Sequence, residues 1–575
     1  MRHMETKTKT MLAAAVAAMA FGACADFEIN LDPEAQPIRD ARKTTCGPLI
    51  GYAGCRTGVN ISDDDKVFGE YREATSAICR ESGAWFQRMW TANRWFDHRK
   101  PNPYDPNSKD KEEQKRYRKY VQSKPDLAFS FWKDNGIKVL FTLEAPWPSD
   151  CTNIIEFVDY IVSNKYESVV AGFELGNETY FAKREWMPGL CANWNRLIPE
   201  IKKRMPKVEL GIPVCEYFEN NPDLAQIRAR CTDKELLKRE GYFSACSGNQ
   251  TSAEMILCLS NSMKYVSHVI YHAYGAETPY SCSYYGFQRF RNFAAGFPEI
   301  QGKRFWLSEI RPRSDEDERC QRIFRESLIS SHYALMAICQ PDLDGYNHHE
   351  FSSLSGAFHL SNGSSWVVQW RDAGGSYPDR RAPEGKMRYE VGSQGVAYRI
   401  LTEAILDHPL FIAHGTSKAM NEEDTFFTSA RVTDQVYARR RARKEGKRGA
   451  DLPKVEGEVE YVAALNRGRN ELCLLMVNSK SEEVGIKVTL KDRQFAAPTY
   501  IALSCPEEHV DDSAVPGEGH WWRQVGWEDT QSGYFVVPMA MYKGLQPKCD
   551  VLNVTIAPHT VQSVTVRVRP VPKAK

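Results

Sequence analysis

Two apolar runs of the sequence each end in a carboxylate, and their residue types suit a hydrolytic site. Residues 171–178 (AGFELGNE) end in an amide and the carboxylate of Glu178, and residues 304–309 (RFWLSE) end in Glu309. Two carboxylates that face one pocket can cleave a glycosidic bond, because one protonates the leaving oxygen while the other stabilises or attacks the positive centre that develops. The pair is therefore the first candidate for a catalytic site.

The chain from residue 47 to 407 alternates short apolar runs with helical patterns, as βα units do. Eight candidate strands and six candidate helices predict a parallel (β/α)8 barrel, a TIM barrel, as the catalytic domain. Glu178 then follows the fourth strand and Glu309 ends the seventh, so both lie at the mouth formed by the carboxyl ends of the strands. The candidate strands are Leu49–Ala53, Trp85–Trp90, Val139–Leu143, Val169–Leu175, Val208–Val214, Val266–Tyr271, Arg304–Ser308 and Gly345–His348, and the candidate helices are Phe68–Glu81, Asn153–Ser163, Trp194–Met205, Gly286–Phe293, Glu318–Ile338 and Val391–Leu406.

The pattern changes after residue 407 to short alternating strands, which predicts an antiparallel β-sandwich over residues 408–571. Residues 26–46 precede the barrel, and the alternating run Phe27–Leu31 within them is a candidate for a further strand of that distant sandwich. Irregular stretches at 216–263 and 352–386 read as loop insertions on the barrel. The sequence thus predicts an α/β barrel followed by a β-sandwich.

The motifs at the two strand ends resemble those of the clan A retaining glycoside hydrolases, which share the barrel. The barrel-plus-sandwich layout resembles the α-L-arabinofuranosidase, heparanase-like β-glucuronidase and β-xylosidase group within that clan. The resemblance implies that Glu178 is the acid/base, that Asn177 binds the sugar 2-hydroxyl, that Glu309 is the nucleophile and that no cofactor is needed. Thr179 and Ile310 stand where many members have proline and an aromatic residue, which leaves the family within the clan open.

The same resemblance implies three more residues around the nucleophile. Clan members tend to carry an arginine at the end of the second strand, where Arg88 stands, and a positive charge there would keep Glu309 ionised. They often carry a histidine or tyrosine on the sixth strand, where His272 and Tyr274 stand. Each also has a structural alternative, since a buried histidine, an arginine in an ion pair or a packed tyrosine is common in any barrel.

Further candidates for substrate binding follow other strands. Glu144 ends the third strand and could bind a hydroxyl or an arginine, and Trp147 could stack on a sugar face. Asn347 and His348 lie on the eighth strand and His349 follows. Successive strand residues face opposite sides, so the two histidines cannot both bind one metal ion unless the chain bulges, and a pocket-lining hydrogen-bonding role for one of them is the preferred interpretation. Arg311 could bind a uronate or sulfate group of an anionic glycan, or a neighbouring acidic residue instead.

Composition and the N-terminus limit the remaining function classes. A net charge of +1 argues against a nucleic-acid binder, and 16 cysteines without a CxxC pair argue against a zinc cage. Residues 1–25 read as a signal peptide, because basic residues precede an apolar run that is too short to span a membrane. We expect a secreted or periplasmic protein that starts at Asp26, with an outer-membrane lipoprotein acylated at Cys24 as the alternative.

Two other functions fit the same residues. A non-catalytic glycan-binding surface protein would use the barrel mouth without cleaving, and the intact Glu178 and Glu309 argue against it. A metal-dependent esterase or deacetylase would require an ion at His348 and His349. The sequence leaves the sugar, the linkage, exo or endo action and the oligomeric state open.

Overall fold

The protein was analysed as a computed structural model. It describes residues 26–40, 50–55, 86–89, 92–96, 125–179, 186–214, 255–259, 261–275, 297–312, 324–352, 367–370, 388–391, 393–417, 451–491, 493–505, 523–525, 535–537 and 551–570, with short pieces between them. The two predicted insertions and the predicted helices Phe68–Glu81 and Gly286–Phe293 lie largely outside these residues.

Eight parallel strands close into a barrel, which confirms the predicted fold class. Neighbouring strands are hydrogen-bonded in chain order and the last pairs with the first. Two strands, β1 (Phe27–Leu31) and β2 (Arg39–Asp40), precede the barrel. The barrel strands are β3 (Ile50–Cys55), β4 (Phe86–Met89), β5 (Lys138–Leu143), β6 (Val170–Leu175), β7 (Glu209–Pro213), β8 (His268–Gly275), β9 (Arg304–Pro312) and β10 (Leu343–Ser352), and the antiparallel pair β11 (Val367–Trp370) and β12 (Arg388–Val391) follows them.

Helices surround the barrel, and some of their limits differ from the prediction. The described helices are α1 (Pro125–Asp134), α2 (Thr152–Ser163), α3 (Met187–Arg204), α4 (Phe324–Ile338) and α5 (Ser393–Asp407). Helix α3 begins before the predicted Trp194, because Pro188 lies in its first turn, where a missing N–H breaks no helical hydrogen bond. Helix α1, which the sequence analysis did not predict, buries Phe129 and Trp132 against the barrel. Within the described residues, no helix is both long enough and apolar enough to cross a membrane.

One tryptophan fills the interior at the amino-terminal end of the barrel. Trp306 on β9 is fully buried and stacks on the ring of His268, with ring centroids 3.8 Å apart. Glycines face the indole from three other strands, and a Cβ at Gly172 or Gly211 would overlap it, at 2.9 Å from Trp306 Cε3 in the case of Gly211. The third, Gly345, would bring a Cβ to 3.2 Å from the indole. The barrel is thus closed around this side chain.

The remaining strands form the predicted sandwich. One sheet has the order β19-β18-β17-β21-β15-β14-β13-β2 and the other the order β1-β16-β20. Strand β1 therefore pairs with β16, although most of the sequence lies between them. The strands are β13 (Leu410–Thr416), β14 (Val459–Leu465), β15 (Glu471–Asn478), β16 (Val484–Leu490), β17 (Arg493–Ser504), β18 (Arg523–Val525), β19 (Phe535–Val537), β20 (Val551–Ile556) and β21 (Thr560–Pro570). Strand β17 is long, yet the sequence analysis did not predict it.

The larger sheet is buried on both faces, which explains the continuous apolar run of β15. Leu472, Leu474 and Met476 pack into the core between the two sheets. The alternate residues, Cys473 and Leu475 among them, pack into the core that includes the barrel helices. Because successive strand residues point to opposite faces, a strand that lies between two cores is apolar on both faces.

Buried polar contacts also join the barrel to the sandwich. On α4, His332 Nδ1 lies 2.8 Å from Glu460 Oε2 of β14, and His414 Nε2 of β13 lies 2.9 Å from Glu460 Oε1. Burial lowers the pKa of His332 to about 3, and burial, with the charge of Glu458, raises the pKa of Glu460 well above its ordinary range. His332 and Glu460 are therefore neutral hydrogen-bonding partners rather than an ion pair.

The filled barrel interior predicts a large cost for truncating Trp306. Trp306→Ala should lower the free energy of unfolding by about 3–5 kcal/mol, because the cavity left between three glycine positions has few side chains that could refill it. Denaturant unfolding followed by circular dichroism measures the change. Trp186→Ala, at a tryptophan that is 43% exposed, is the control and should cost about 0.5 kcal/mol. Equal losses in the two variants would contradict this packing.

Candidate active site

The turn after β6 presents Asn177 and Glu178 through two left-handed backbone conformations. Gly176 has φ +98°, which suits glycine, whereas Glu178 has φ +46°, which is uncommon for a residue with a side chain. Such conformations persist where the surrounding structure enforces them, and they concentrate at functional sites. The chain therefore turns sharply at the fourth barrel strand and directs both side chains to the mouth.

A register shift in β9 turns two successive residues toward the same histidine. Tyr271 of β8 pairs with Leu307, but the next residue, His272, pairs with Glu309, so Ser308 is an extra residue in the ladder. The hydroxyl of Ser308 lies 2.9 Å from His272 Nε2, and Glu309 Oε2 lies 3.4 Å from His272 Nδ1. A regular strand would send one of them outward, so this bulge is what brings Glu309 into the site.

Arg88 on the second barrel strand connects the carboxylates. Its Nη1 donates to Glu309 Oε1 at 2.5 Å, and its Nη2 donates to Asn177 Oδ1 at 2.7 Å. Its Nε and Nη2 donate to the two oxygens of Glu174 at 2.5 and 2.9 Å. A buried guanidinium at this distance favours the ionised form of Glu309, as the resemblance implied.

Glu174 is a site residue that the sequence analysis missed. It is fully buried, and it also accepts a hydrogen bond from Thr142 Oγ1 at 3.1 Å. Burial alone would raise its pKa, but the charge of Arg88 and a hydrogen bond from His272 lower the pKa below the ordinary value. The sequence does contain a signal for Glu174, because it is a charged residue inside the apolar strand that precedes Glu178. Charged residues are almost never fully buried without a partner.

His272 lies among three carboxylates. Its Nδ1 is 3.2 Å from Glu178 Oε1, and its Nε2 is 3.4 Å from Glu174 Oε1. Burial disfavours the charged ring, but the attraction of Glu309 and the hydrogen bonds to Glu174 and Glu178 outweigh it and raise the pKa to about 9. The ring is therefore an imidazolium near neutral pH.

The two candidate catalytic carboxylates are close together and differ in burial. One oxygen of Glu178, one of Glu309 and a nitrogen of His272 all lie within 4.8 Å of one another. The side chain of Glu178 is 27% exposed, whereas that of Glu309 is 4% exposed. These three groups could also hold a cation, but Arg88 and the charged His272 already neutralise the same oxygens, so the arrangement suits a carboxylate pair better.

The other predicted binding residues lie around this cluster or outside the described side chains. Glu144 is half-buried after β5, and Asn93 holds its backbone by two hydrogen bonds of 2.9 Å. Trp147 is 44% exposed and packs on Gly189 at the start of α3. Asn347 is fully buried in β10. The backbones of Tyr274, Arg311 and His348 lie in β8, β9 and β10, but their side chains are outside the described part of the structure.

The buried pair of Arg88 and Glu174 predicts a pH-dependent loss of stability. Glu174→Gln should lower the free energy of unfolding at pH 7 by about 3–5 kcal/mol, because Arg88 loses a buried counter-charge. The folded-state pKa of Glu174 lies below its ordinary 4.5, so this stabilisation is complete above that value and is lost as pH falls through the lower one. Unfolding of both proteins between pH 3 and 8 should show curves that converge only at the acidic end.

The control for that experiment is a pair of the same chemistry at the surface. Glu200 accepts a hydrogen bond of 2.7 Å from Arg204 on α3, with 47% of its side chain exposed. Glu200→Gln should cost far less stability than Glu174→Gln, because water screens the pair. A loss in Glu174→Gln as small as in this control would show that the buried carboxylate does not carry its charge.

Comparisons with known proteins identify solved structures that have a similar fold. Neither the known protein-family models nor the curated protein sequences gave a match. Among solved structures, an α-L-arabinofuranosidase from Thermotoga maritima matches with a TM-score of 0.54 and 9% identity, covering 94% of this chain and 99% of that one. An arabinofuranosidase from Xanthomonas axonopodis pv. citri matches with the same score, identity and coverage.

A third structure extends the comparison to another activity. A 4-O-α-L-rhamnosyl-β-D-glucuronidase from Fusarium oxysporum matches with a TM-score of 0.50 and 10% identity, covering 94% of this chain and all of that one. At such low identity the likeness concerns the fold. The chain shares over nearly its whole length the barrel and sandwich of these glycoside hydrolases, which confirms the resemblance at the level of the fold.

Proposed function

We propose that the protein is a retaining glycoside hydrolase in which Glu178 is the acid/base and Glu309 the nucleophile. The observation that carries the proposal is the closeness of the two carboxylates, whose nearest oxygens lie within 4.8 Å. Retaining enzymes hold these groups about 5–5.5 Å apart, whereas inverting enzymes need about 6.5–9.5 Å to admit a water. Nearest oxygens this close fit the shorter carboxyl separation better than the longer one, which supports direct attack by Glu309 and formation of a covalent intermediate.

In the first step Glu309 attacks the anomeric carbon while Glu178 protonates the glycosidic oxygen. Arg88 orients Glu309 and keeps it ionised through the hydrogen bond between Nη1 and Oε1. Arg88 also orients Asn177, whose Oδ1 it binds. The amide nitrogen of Asn177 is then turned away from the guanidinium and is free to donate toward a sugar hydroxyl.

In the second step Glu178 acts as a base toward water. The attack of water on the glycosyl ester releases Glu309, and the sugar leaves with its original anomeric configuration. Glu178 suits both steps because its side chain reaches solvent, where the leaving group departs and the water arrives. The buried Glu309 suits the nucleophile, because an ester in the interior is protected from unspecific hydrolysis.

The proposed chemistry defines the bond that is cleaved but not the sugar, so the sugars to test are taken from the structural neighbours. The structural neighbours named as arabinofuranosidase and glucuronidase define the first sugars to test, one neutral and one anionic. If the protein is instead a glycan-binding protein without turnover, neutral and anionic sugars would both bind and no product would form. A complete and mutually hydrogen-bonded set of Arg88, His272, Glu178 and Glu309 favours catalysis over binding.

We also propose that residues 1–25 direct export and that the mature protein starts at Asp26. The support is the sequence pattern of basic residues, an apolar run and small residues before the cleavage point. The intact mass of protein recovered from an exporting host should match a chain that begins at Asp26. An acylated N-terminal Cys24 would instead establish the lipoprotein form, and a retained Met1 would contradict export.

The proposed roles predict different behaviour of the two carboxylate variants. Glu178→Ala should slow hydrolysis of substrates with poor leaving groups by about 10²–10⁴-fold, the usual share of general acid catalysis, but retain attack on activated aryl glycosides. Azide should then restore turnover and give a glycosyl azide of retained configuration. Glu309→Ala should lose turnover on both kinds of substrate. The measurements are steady-state rates on aryl arabinofuranosides, xylosides and glucuronides.

A trapping experiment and a control complete the test. A slow 2-fluoro glycoside of the best sugar should label Glu309, which peptide mapping by mass spectrometry identifies. Glu144→Gln changes a half-buried carboxylate on the neighbouring loop, and it should show no azide rescue and leave the labelled position unchanged. Label on another residue, or equal and unrescued losses in both variants, would reject the assignment.

A further inference from the structure

The contacts of His272 indicate a second role besides the positioning of Glu309. Its Nδ1 faces both candidate catalytic groups, at 3.2 Å from Glu178 Oε1 and 3.4 Å from Glu309 Oε2. Its Nε2 faces Ser308 Oγ at 2.9 Å and Glu174 Oε1 at 3.4 Å. One ring thus contacts each carboxylate of the cluster, and its side chain is only 1% exposed.

The net charge of the cluster favours the binding of one mobile proton. Arg88 is a permanent cation, and Glu174, Glu178 and Glu309 are three carboxylates. With His272 and all three acids deprotonated the cluster would carry a net charge of −2, which is costly in a buried site. A single proton lowers that to −1, whether it lies on His272 or on Glu178.

The contacts favour His272 as the holder of this proton. A proton on the ring creates a cation between three anions, whereas a proton on Glu178 would leave Glu174 and Glu309 with Arg88 alone. Attraction falls with distance, and all three carboxylates lie within 3.4 Å of a ring nitrogen. Glu178 is also the most solvated of the three acids, so it is the one that tolerates a charge at the lowest cost.

We propose that His272 stores the catalytic proton in the resting enzyme and that Glu178 relays it to the glycosidic oxygen. This inference rests on the proposed function and deepens it. In the first step the proton moves from Nδ1 to Glu178 Oε1, and a proton on Glu178 passes to the leaving oxygen as the glycosidic bond breaks and the bond to Glu309 forms. His272 ends neutral, Glu178 ends ionised and Glu309 ends as an ester.

The second step restores the proton. Water attacks the ester, Glu178 takes the proton of that water and passes it to His272 Nδ1, and Glu309 leaves as a carboxylate. The cluster has a net charge of −1 before the reaction, in the intermediate and after it, so no charge has to be created in the buried site. The 3.2 Å separation between Nδ1 and Oε1 is long for a proton transfer, but catalytic hydrogen bonds often shorten when substrate is bound.

Conversion of Glu309 into an ester predicts a direct signal in the unmodified protein. Loss of the anionic charge of Glu309 should make His272 give up its proton, since the attraction of Glu309 opposes the effect of burial on its pKa. Nitrogen NMR of protein labelled with ¹⁵N-histidine should show an imidazolium signal at pH 7.5 that becomes neutral when the 2-fluoro glycoside traps the intermediate. If no histidine loses a proton on trapping, the proposal is wrong.

Kinetics of a variant give an independent test. In the wild type kcat/KM should fall on the alkaline side as the shared proton is lost, near the pKa of about 9 of His272. This pH is the alkaline limit. In His272→Asn the limit should fall by about two pH units, because tuned catalytic carboxylic acids titrate at about 6–7. The variant should also slow substrates with poor leaving groups far more than activated aryl glycosides, which a purely structural role would not do.

His268→Asn is the matched control for this variant. His268 lies on the same strand and is equally buried, but it is bonded to Asp344 at the other end of the barrel, 2.9 Å from its Oδ2. Its replacement should lower stability and leave the alkaline limit in place. An unchanged limit in His272→Asn would place the proton on Glu178 from the start and overturn the relay, while the rescue and labelling of the proposed function would still hold. If His272→Asn does not fold, the NMR result decides alone.

Discussion

The ion pair between Arg88 and Glu174 is the interaction on which the candidate site depends. A guanidinium at the centre of a closed barrel cannot be hydrated, so it needs anionic partners with good geometry, and Glu174 supplies both of its oxygens. Further N–H bonds of Arg88, on Nη1 and Nη2, are then directed to Glu309 and Asn177. One buried pair between the second and fourth strands therefore fixes the orientation of residues that come from the fourth and seventh.

The barrel interior is built in layers, and the chemistry begins where the apolar layer ends. Phe86, Leu140, Ile270 and Trp306, on four strands, form a buried cluster together with Ala171 of β6. The residues two positions further along those strands are Arg88, Thr142, His272 and Ser308, because a period of two returns to the same face. The apolar layer excludes water from below, which strengthens the electrostatic interactions above it. Core packing and the charged cluster are thus successive levels of one arrangement.

Sequence patterns predicted the barrel, the sandwich and the strands that carry Arg88, His272, Glu178 and Glu309, because period and order along the chain are local properties. They did not reveal Glu174, whose role depends on an arginine far away in the sequence. They also missed the register shift that turns Ser308 and Glu309 to one side, since a bulge is a relation between two strands. Helix α1 was missed although its buried residues Phe129 and Trp132 follow a helical spacing. Strand β17 was missed because a register shift between Ala496 and Thr499 interrupts its alternation.

The difference in burial between Glu178 and Glu309 follows from backbone geometry and matches the roles that we propose for the two groups. Glu309 lies within a strand and is held by the barrel wall, whereas Glu178 lies beyond the end of its strand in a left-handed turn. A nucleophile must be ionised and fixed, and an arginine in the interior achieves both. An acid/base must exchange a proton with groups that come and go, so it has to reach solvent. A single ring, that of His272, connects the two environments because its strand runs between them.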